Sequence, residues 1–141
     1  MTTESCGQPG TPAYEEKAFV NAFIARDKRD RYTQLLSNPK RRKDILRCLY
    51  HTLDLLPESI TTISKSDKSV ETIVRLLKDK GAKNECYVIS PNGELDQRIL
   101  PLREMLVKLI RDDDVAILLC IPGHLAFYKA ELWECLLESV K

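Results

Sequence analysis

The side chains best suited to chemistry fall in two short loops, each of which follows a segment that predicts a β-strand. The first loop carries two hydroxyls and an ammonium group, on Ser64, Lys65 and Ser66. The second carries a hydroxyl, an amide and two carboxylates, on Ser90, Asn92, Glu94 and Asp96. The first set, together with a helix N-terminus, could receive a phosphate or carboxylate. Glu94 and Asp96 could serve a metal or act as acid and base.

Ordinary loop chemistry explains the same residues at least as well. Ser66 and Asp67 can cap the helix that follows, and Asn92-Gly93 is typical of a turn. The chain has no glycine-rich nucleotide motif and no His-Glu-x-x-His zinc motif. His124 follows a Pro-Gly turn and His51 falls at a predicted helix end, so neither is assigned a catalytic role. The catalytic residues are therefore unknown from sequence.

A basic segment is the second candidate surface. Between Arg26 and Arg47 there are nine Lys/Arg and three Asp, a net charge of +6 in a chain whose formal charge is +1. The remainder of the chain therefore carries −5. The residues predicted to contact a partner or nucleic acid are Arg29, Arg31, Tyr32, Lys40, Arg41, Arg42 and Lys43.

Three interpretations of this basic segment stay open. Its cations could neutralise nucleic-acid phosphates while Tyr32 stacks on a base. They could instead contact an acidic protein surface, including the acidic remainder of a second copy in a homodimer. They could also form a solvated helical face with intrahelical pairs such as Asp27–Arg31. The sequence pI of 7.6 is low for a nucleic-acid binder.

Two helices are predicted to carry the basic segment. Residues 1–13 lack periodicity and are predicted to be a disordered tail. From Tyr14 the apolar residues Ala18, Phe19, Ala22 and Phe23 recur at helical spacing, and the helix could extend to Leu36. Asn38 is placed to cap a second helix, with Pro39 as its first residue and its end near His51. Four cations in that first turn oppose the helix dipole, which indicates a role other than helix stability.

The rest of the chain predicts alternating strands and helices. Short strands are expected at Ile60–Ile63 and Cys86–Ile89, and helices at Val70–Leu77 and from Pro101. The apolar run Val115–Ile121 predicts a central strand buried on both faces. Pro122-Gly123 then predicts a turn into an antiparallel strand, Leu125–Tyr128, before a last helix from Ala130 to Val140.

These elements predict an α/β (or α+β) fold with helices on both faces of a three-stranded parallel core, to which the hairpin adds one antiparallel strand. Two N-terminal helices precede it. The predicted domain organisation is a tail, 1–13, and a single domain, 14–141, divided into a basic helical pair (14–56) and a βαβαββα core (57–141).

Composition excludes several classes of protein. The 141 residues contain no apolar run near the roughly 20 needed to span a bilayer, and the N-terminus lacks the features of a secretion signal. The five cysteines show no Cys-x-x-Cys pair and no short spacing to histidine. We therefore expect a cytoplasmic protein with free thiols, no bound metal, no cofactor and no membrane contact.

One set of segments covers most of the chain beyond the tail: 28–32, 35–36, 39–43, Leu49, His51, 53–54, Cys86–Ser90, Glu94–Asp96, Pro101–Glu104 and Ile121–Ala126. In these segments the chain resembles an uncharacterised family of small bacterial proteins that has no assigned activity. The resemblance implies a bacterial cytoplasmic protein and transfers no site residue.

The function remains unknown at this level. The sequence favours a non-enzymatic binding or regulatory module that contacts a partner through the basic helices. The alternatives are a small-molecule or phosphoester-handling enzyme built on the two loops, and an RNA- or DNA-binding protein.

Overall fold

A computed structural model describes residues 11–51, 53–63 and 69–139. Five helices occur there: α1 (Pro12–Phe23), α2 (Arg29–Ser37), α3 (Arg42–Cys48), α4 (Val70–Asp79) and α5 (Leu102–Asp112). The strands are β1 (Ile60–Thr62), β2 (Glu85–Ile89), β3 (Arg98–Pro101), β4 (Ala116–Ile121), β5 (Leu125–Lys129) and β6 (Glu134–Glu138). Single 3-10 turns occupy Arg26–Lys28 and Pro57–Ser59. Within the described ranges, no helix is both long enough and apolar enough to cross a membrane.

The six strands form one sheet in the order β1-β6-β5-β4-β2-β3, and every neighbouring pair is antiparallel. The predicted three-stranded parallel core is therefore wrong. No strand was predicted between β2 and α5, but β3 lies there and folds back on β2 with Arg98 opposite Val88. Because this hairpin reverses the chain before α5 begins, β4 returns antiparallel to β2, with Leu118 opposite Val88.

The predicted C-terminal helix is also wrong. Residues Glu134–Glu138 form β6, which lies between β5 and β1 and places Leu136 opposite both Phe127 and Thr61. Leu132, which precedes β6, is 88% exposed. A short apolar segment fits a helical or a strand period equally well, and the open edge of β5 decides in favour of the strand.

The central hairpin agrees with its prediction. The turn after β4 reverses the chain so that Leu118 lies opposite Phe127 on β5. Gly123 adopts a φ of 73°, which a residue with a side chain rarely adopts. Residues Val115–Cys120 are all buried, as their uniform apolar character predicted.

Helices cover both faces of the sheet. On one face α1, α2 and α3 pack over strand residues such as Tyr87, Ile117 and Tyr128. On the other face α4 and α5 pack over Val88, Leu118 and Phe127. Successive strand residues alternate between the two cores, as the pleat of a strand requires.

The N-terminal helices are shorter than predicted. The first begins at Pro12 and ends at Phe23, because Ile24 pairs with Leu55 in an isolated β-bridge. The charged residues after it form a 3-10 turn before α2 starts at Arg29. The third helix begins at Arg42 rather than at Pro39, and the Asn38 side chain accepts a hydrogen bond from the Lys40 N–H at 2.9 Å.

The assignment of β6 can be tested by two leucine substitutions. Leu137 is fully buried against the α1–α3 core, so Leu137→Ala should lower the free energy of unfolding by about 2–5 kcal/mol. Leu132→Ser should change it by less than about 0.5 kcal/mol, because Leu132 is exposed in the turn. Urea unfolding measures both values. A larger loss from Leu132→Ser than from Leu137→Ala would contradict β6 and support the predicted C-terminal helix.

Candidate functional site

The four consecutive cations from Lys40 to Lys43, here called the basic run, are divided between the interior and the surface. Arg42 is 7% exposed, whereas its neighbours Lys40, Arg41 and Lys43 are exposed. Arg42 shares the inner side of α3 with Ile45 and Leu49, three and seven residues further on, and both of these are buried. Helical spacing therefore carries one cation of the run into the core.

Every N–H of the Arg42 guanidinium donates a hydrogen bond. Nη1 and Nη2 donate to the two Glu16 carboxylate oxygens at 2.6 Å each. Nε and Nη2 donate to the Asp96 oxygens at 2.8 and 3.0 Å. The second Nη1 hydrogen goes to the Leu36 carbonyl at 3.1 Å. Because a guanidinium has five donors, Arg42 has none left for a ligand.

Glu16 belongs to α1 and reaches both Arg42 and the sheet. Its Oε2 also accepts a hydrogen bond from the Tyr87 hydroxyl at 2.7 Å. Burial and the nearby Glu16 carboxylate raise the pKa of Tyr87 well above its ordinary value, so this hydroxyl keeps its proton. Burial opposes the charge on Arg42, but hydrogen bonds with Glu16 and Asp96 leave its pKa raised.

Asp96 is the second carboxylate of this network, after Glu16, and it comes from the loop after β2. Its Oδ1 accepts a hydrogen bond from the Ser90 N–H at 3.0 Å. The Ser90 hydroxyl donates to the Val115 carbonyl and accepts from the Asn92 N–H. The Asn92 side chain in turn accepts from the Glu94 N–H at 2.9 Å. Three of the four predicted residues in this loop therefore hold its shape, and Glu94 is exposed.

The network connects two regions that were predicted as separate candidate sites, the basic segment and the loop after β2. Arg42 comes from the basic segment and Asp96 from the predicted ligand loop, 54 positions away. Two carboxylates surround one guanidinium, so the network carries a formal charge of −1 while Tyr87 is protonated. It can position α1, α3 and the β2–β3 loop, and it offers an anion no donor of its own.

A cleft of about 560 Å³ opens above this network, between α1 and α2. We call it the α1–α2 cleft. Its walls are largely apolar and include Pro12, Ala13, Val20, Leu36 and Pro39. Glu16 and Arg42 contribute to the lining, and the exposed Lys17 stands at the wall formed by α1. The cleft has the apolar character of a site that receives a side chain or a small molecule.

The remaining predicted contact residues have separate positions. Arg29 Nε donates to the Ile24 carbonyl at 2.8 Å, and Arg31 is exposed. Tyr32 is 3% exposed, and its hydroxyl donates to Asp54 Oδ2 and accepts from the Asp54 N–H. In this arrangement the Tyr32 ring is not accessible for base stacking. Ser64, Lys65 and Ser66 lie outside the described residues.

The histidines and cysteines form no common site in the described part of the chain. His51 is exposed, and its carbonyl accepts the indole N–H of Trp133. No group of three or more His, Cys, Asp or Glu in the described ranges is arranged to hold a metal. Cys86, Cys120 and Cys135 are buried and free. Burial raises the pKa values of Cys120 and Cys135 to about 12, which keeps both as unreactive thiols.

Two members of the network, Glu16 and Tyr87, were not among the predicted site residues. The sequence spacing indicates that Glu16 lies on the buried side of α1. Val20 and Phe23 follow it by four and seven residues, and both are fully buried. A carboxylate on the apolar side of a helix needs a buried partner. Tyr87 lies in a buried strand and carries no comparable signal.

Comparison with known proteins adds no relative. No protein-family model matches this chain. No curated protein matches it either, and no solved structure does. The resemblance to a family of small bacterial proteins therefore stays a prediction.

The network predicts a large cost for removing its cation. Arg42→Met should lower the free energy of unfolding by about 3–5 kcal/mol, because it leaves the buried Glu16 and the largely buried Asp96 without a cation. The combined variant Glu16→Gln, Arg42→Met, Asp96→Asn should lose much less, since no charge remains in the interior. Urea unfolding distinguishes them, with the exposed Lys43→Met as a control that should not move the midpoint. A triple variant as unstable as Arg42→Met would contradict this account.

The buried tyrosines predict a loss of stability at alkaline pH. Burial, reinforced by the Asp54 carboxylate, raises the pKa of Tyr32 to about 12 from its ordinary 10.0. The unfolded chain therefore loses its phenolic protons first, so this stabilisation is complete below pH 10.0 and disappears as the pH rises through about 12. Urea unfolding across this range should show falling stability, with a shallower fall in Tyr32→Phe. Equal slopes for the two proteins would contradict the assignment.

Proposed function

We propose that this protein is a non-enzymatic binding module that recognises an acidic segment of a partner protein with an apolar anchor side chain. The contact surface consists of the α1–α2 cleft and four exposed cations of the segment that follows Pro39 in the sequence. These four residues, the cationic ridge, are Lys40, Arg41, Lys43 and Arg47. The supporting observation is the division of the basic run, in which Arg42 is used completely inside while the ridge remains outside.

The charges of the ridge are only partly balanced within the chain. Asp44 pairs with Arg41 at 2.7 Å and approaches Arg47 at 4.0 Å. The hydrogen bond from Arg41 holds the pKa of Asp44 below its ordinary value, so this carboxylate stays charged. Lys40 and Lys43 form no salt bridge with any residue in the described ranges. The ridge therefore keeps a surplus of positive charge that an acidic partner would complement.

The α1–α2 cleft supplies an apolar pocket, which the charged ridge lacks. Binding energy at protein interfaces concentrates in a few anchor side chains that fill well-packed pockets, while charges at the rim improve specificity and association rate. Pro39 lines the cleft and immediately precedes Lys40, so the apolar pocket adjoins the start of the ridge. Arg42 fixes α3 to α1 and the sheet, which keeps the pocket and ridge in one geometry.

A protein partner is favoured over nucleic acid and over a substrate. Tyr32, the aromatic residue of the basic segment, is buried and bonded to Asp54, which argues against base stacking. Asp27, Asp30 and Asp44 interrupt the positive charge. Among the candidates for catalysis, Ser90 and Asp96 are engaged in the loop and the network.

The expected cytoplasmic location accompanies this proposal. Buried free thiols at Cys86, Cys120 and Cys135 support a reducing compartment. A second copy of this chain is an alternative partner, because its acidic remainder complements the ridge.

Fluorescence anisotropy can test the proposal with a short labelled peptide of acidic residues around a Leu-Phe pair. Replacing Lys40, Arg41 and Lys43 together by Ala should weaken binding about tenfold, since each exposed pair contributes roughly 0.5 kcal/mol. A matched triple variant at the exposed Arg75, Lys83 and Arg98 removes the same charge elsewhere and should bind normally.

The cleft is tested separately by filling it. Ala13→Trp should abolish the advantage of the Leu-Phe peptide over an all-acidic peptide, whereas Gln34→Trp, on the exposed side of α2, should preserve it. Labelled RNA of equal charge serves as the competing ligand. Tighter binding of RNA, with a log–log salt slope of about −3 or steeper, would replace the proposal with nucleic-acid binding. Binding of neither ligand at low salt would refute it.

A further inference from the structure

A second cleft lies where α1, the 3-10 turn after it and the β4–β5 turn approach one another. It measures about 580 Å³, and we call it the turn cleft. Polar side chains from six segments line it: Asn21, Arg26, Arg29, Glu58, His124 and Ser139. Neither the buried network nor the cationic ridge includes any of these residues.

The two arginines of the turn cleft have hydrogen-bond donors to spare. Arg29 uses only its Nε, which donates to the Ile24 carbonyl and fixes the start of the side chain. Its terminal N–H groups have no acceptor among residues 11–51, 53–63 and 69–139. The Arg26 side chain makes no hydrogen bond or salt bridge to those residues. In this respect the turn cleft is the opposite of the α1–α2 cleft, where every Arg42 donor is occupied.

A hydroxyl and an imidazole join the arginines in the same lining. His124 Nδ1 lies 3.3 Å from Ser139 Oγ. The Ser139 N–H donates to the His124 carbonyl at 3.0 Å, which holds Ser139, the residue after β6, against the β4–β5 turn. The contact fixes one imidazole nitrogen and leaves Nε2 without a partner in the described chain. Gly123, with its φ of 73°, gives the turn the conformation that brings His124 here.

The composition of the lining selects the chemistry of the ligand. Two guanidinium groups, an imidazole, an amide and a hydroxyl can all donate hydrogen bonds to oxygen, and Glu58 alone carries negative charge. Arg groups are especially suited to the several oxygens of a phosphate, which accept paired charge-assisted hydrogen bonds. The cleft is also larger than a phosphate ion needs, and its volume falls within the range of small-molecule sites.

We propose that the turn cleft binds the phosphate group of a small phosphomonoester, with Arg26 and Arg29 as the principal donors. The organic part of the ligand occupies the remaining space, against Ala18, Ala22 and Leu56. The inference does not depend on the proposed partner-binding function, because it uses different residues.

Calorimetry and amide NMR of the full chain test this site with three probes: phenyl phosphate, inorganic phosphate and benzoate. Phenyl phosphate should bind saturably and shift the amide signals of Gly123, His124 and Ser139. It should bind at least several-fold more tightly than the other two probes, because only this probe has both a phosphate and an organic body. Equal binding of inorganic phosphate would overturn the phosphomonoester assignment, and equal binding of benzoate would overturn the phosphate requirement.

Substitutions place the binding at the turn cleft. Arg26→Gln should weaken the binding of phenyl phosphate about tenfold, and folding should be unaffected because the exposed side chain makes no hydrogen bond or salt bridge to the described residues. Arg31→Gln, on the exposed surface of α2, is the matched control and should bind normally. Glu58→Gln should strengthen binding several-fold by removing the repelling charge. Unchanged affinity in Arg26→Gln, or no saturable shift at millimolar phenyl phosphate, would refute the site.

Discussion

The contact between Arg42 and two carboxylates is the constraint on which the arrangement of the N-terminal helices depends. It joins α3 to α1 through Glu16, and both helices to the β2–β3 loop through Asp96. Removing three charged groups from water costs several kcal/mol for each ion, so such a cluster survives only when its geometry satisfies every donor. All five guanidinium hydrogens have acceptors here, and Tyr87 adds a hydrogen bond from the sheet. The cluster therefore specifies position more than it adds stability.

Such a tie is needed because α2 and α3 are short. They span nine and seven residues, and isolated helices of that length are marginal in water. Tyr32, Leu36, Ile45 and Leu49 give them an apolar side, and the Tyr128 hydroxyl donates to the Leu49 carbonyl at the end of α3. These contacts hold the helices on the sheet, while the Arg42 cluster sets which side chains of the basic run face outward. The exposure of Lys40, Arg41 and Lys43 therefore depends on this cluster together with the apolar contacts of α3.

Part of this architecture was predictable from local patterns. The uniform apolar run identified β4, the Pro-Gly pair identified the β4–β5 turn, and Pro101 marked the start of α5. Strand direction was not predictable, because it depended on β3, a four-residue strand with only two apolar residues, Ile99 and Leu100, and mostly exposed side chains. The prediction of a helix in the C-terminal segment was wrong for a related reason. Its few apolar residues fit two periods, and only pairing with β5 and β1 selects the strand.

For the candidate sites too, local sequence predicted which residues share a loop but not which distant segments meet. Ser90, Asn92 and Asp96 were correctly expected to lie in one loop, and a turn explanation accounts for the first two. That Asp96 meets Arg42 depends on a tertiary contact between segments 54 positions apart, which no local spacing contains. The turn cleft likewise collects Arg29 and His124, which the sequence offered separately, beside Ser139, which carried no signal.

The most direct measurement is nitrogen-15 NMR of the arginine guanidinium groups in the folded protein. If Arg42 donates all five hydrogen bonds, rotation of its guanidinium is blocked. Its Nη hydrogens should then give separate signals that exchange slowly with water, unlike those of the exposed Arg41 and Arg31. A single averaged and rapidly exchanging Nη signal for Arg42 would contradict the account. It would mean that the cluster does not hold the helices in place.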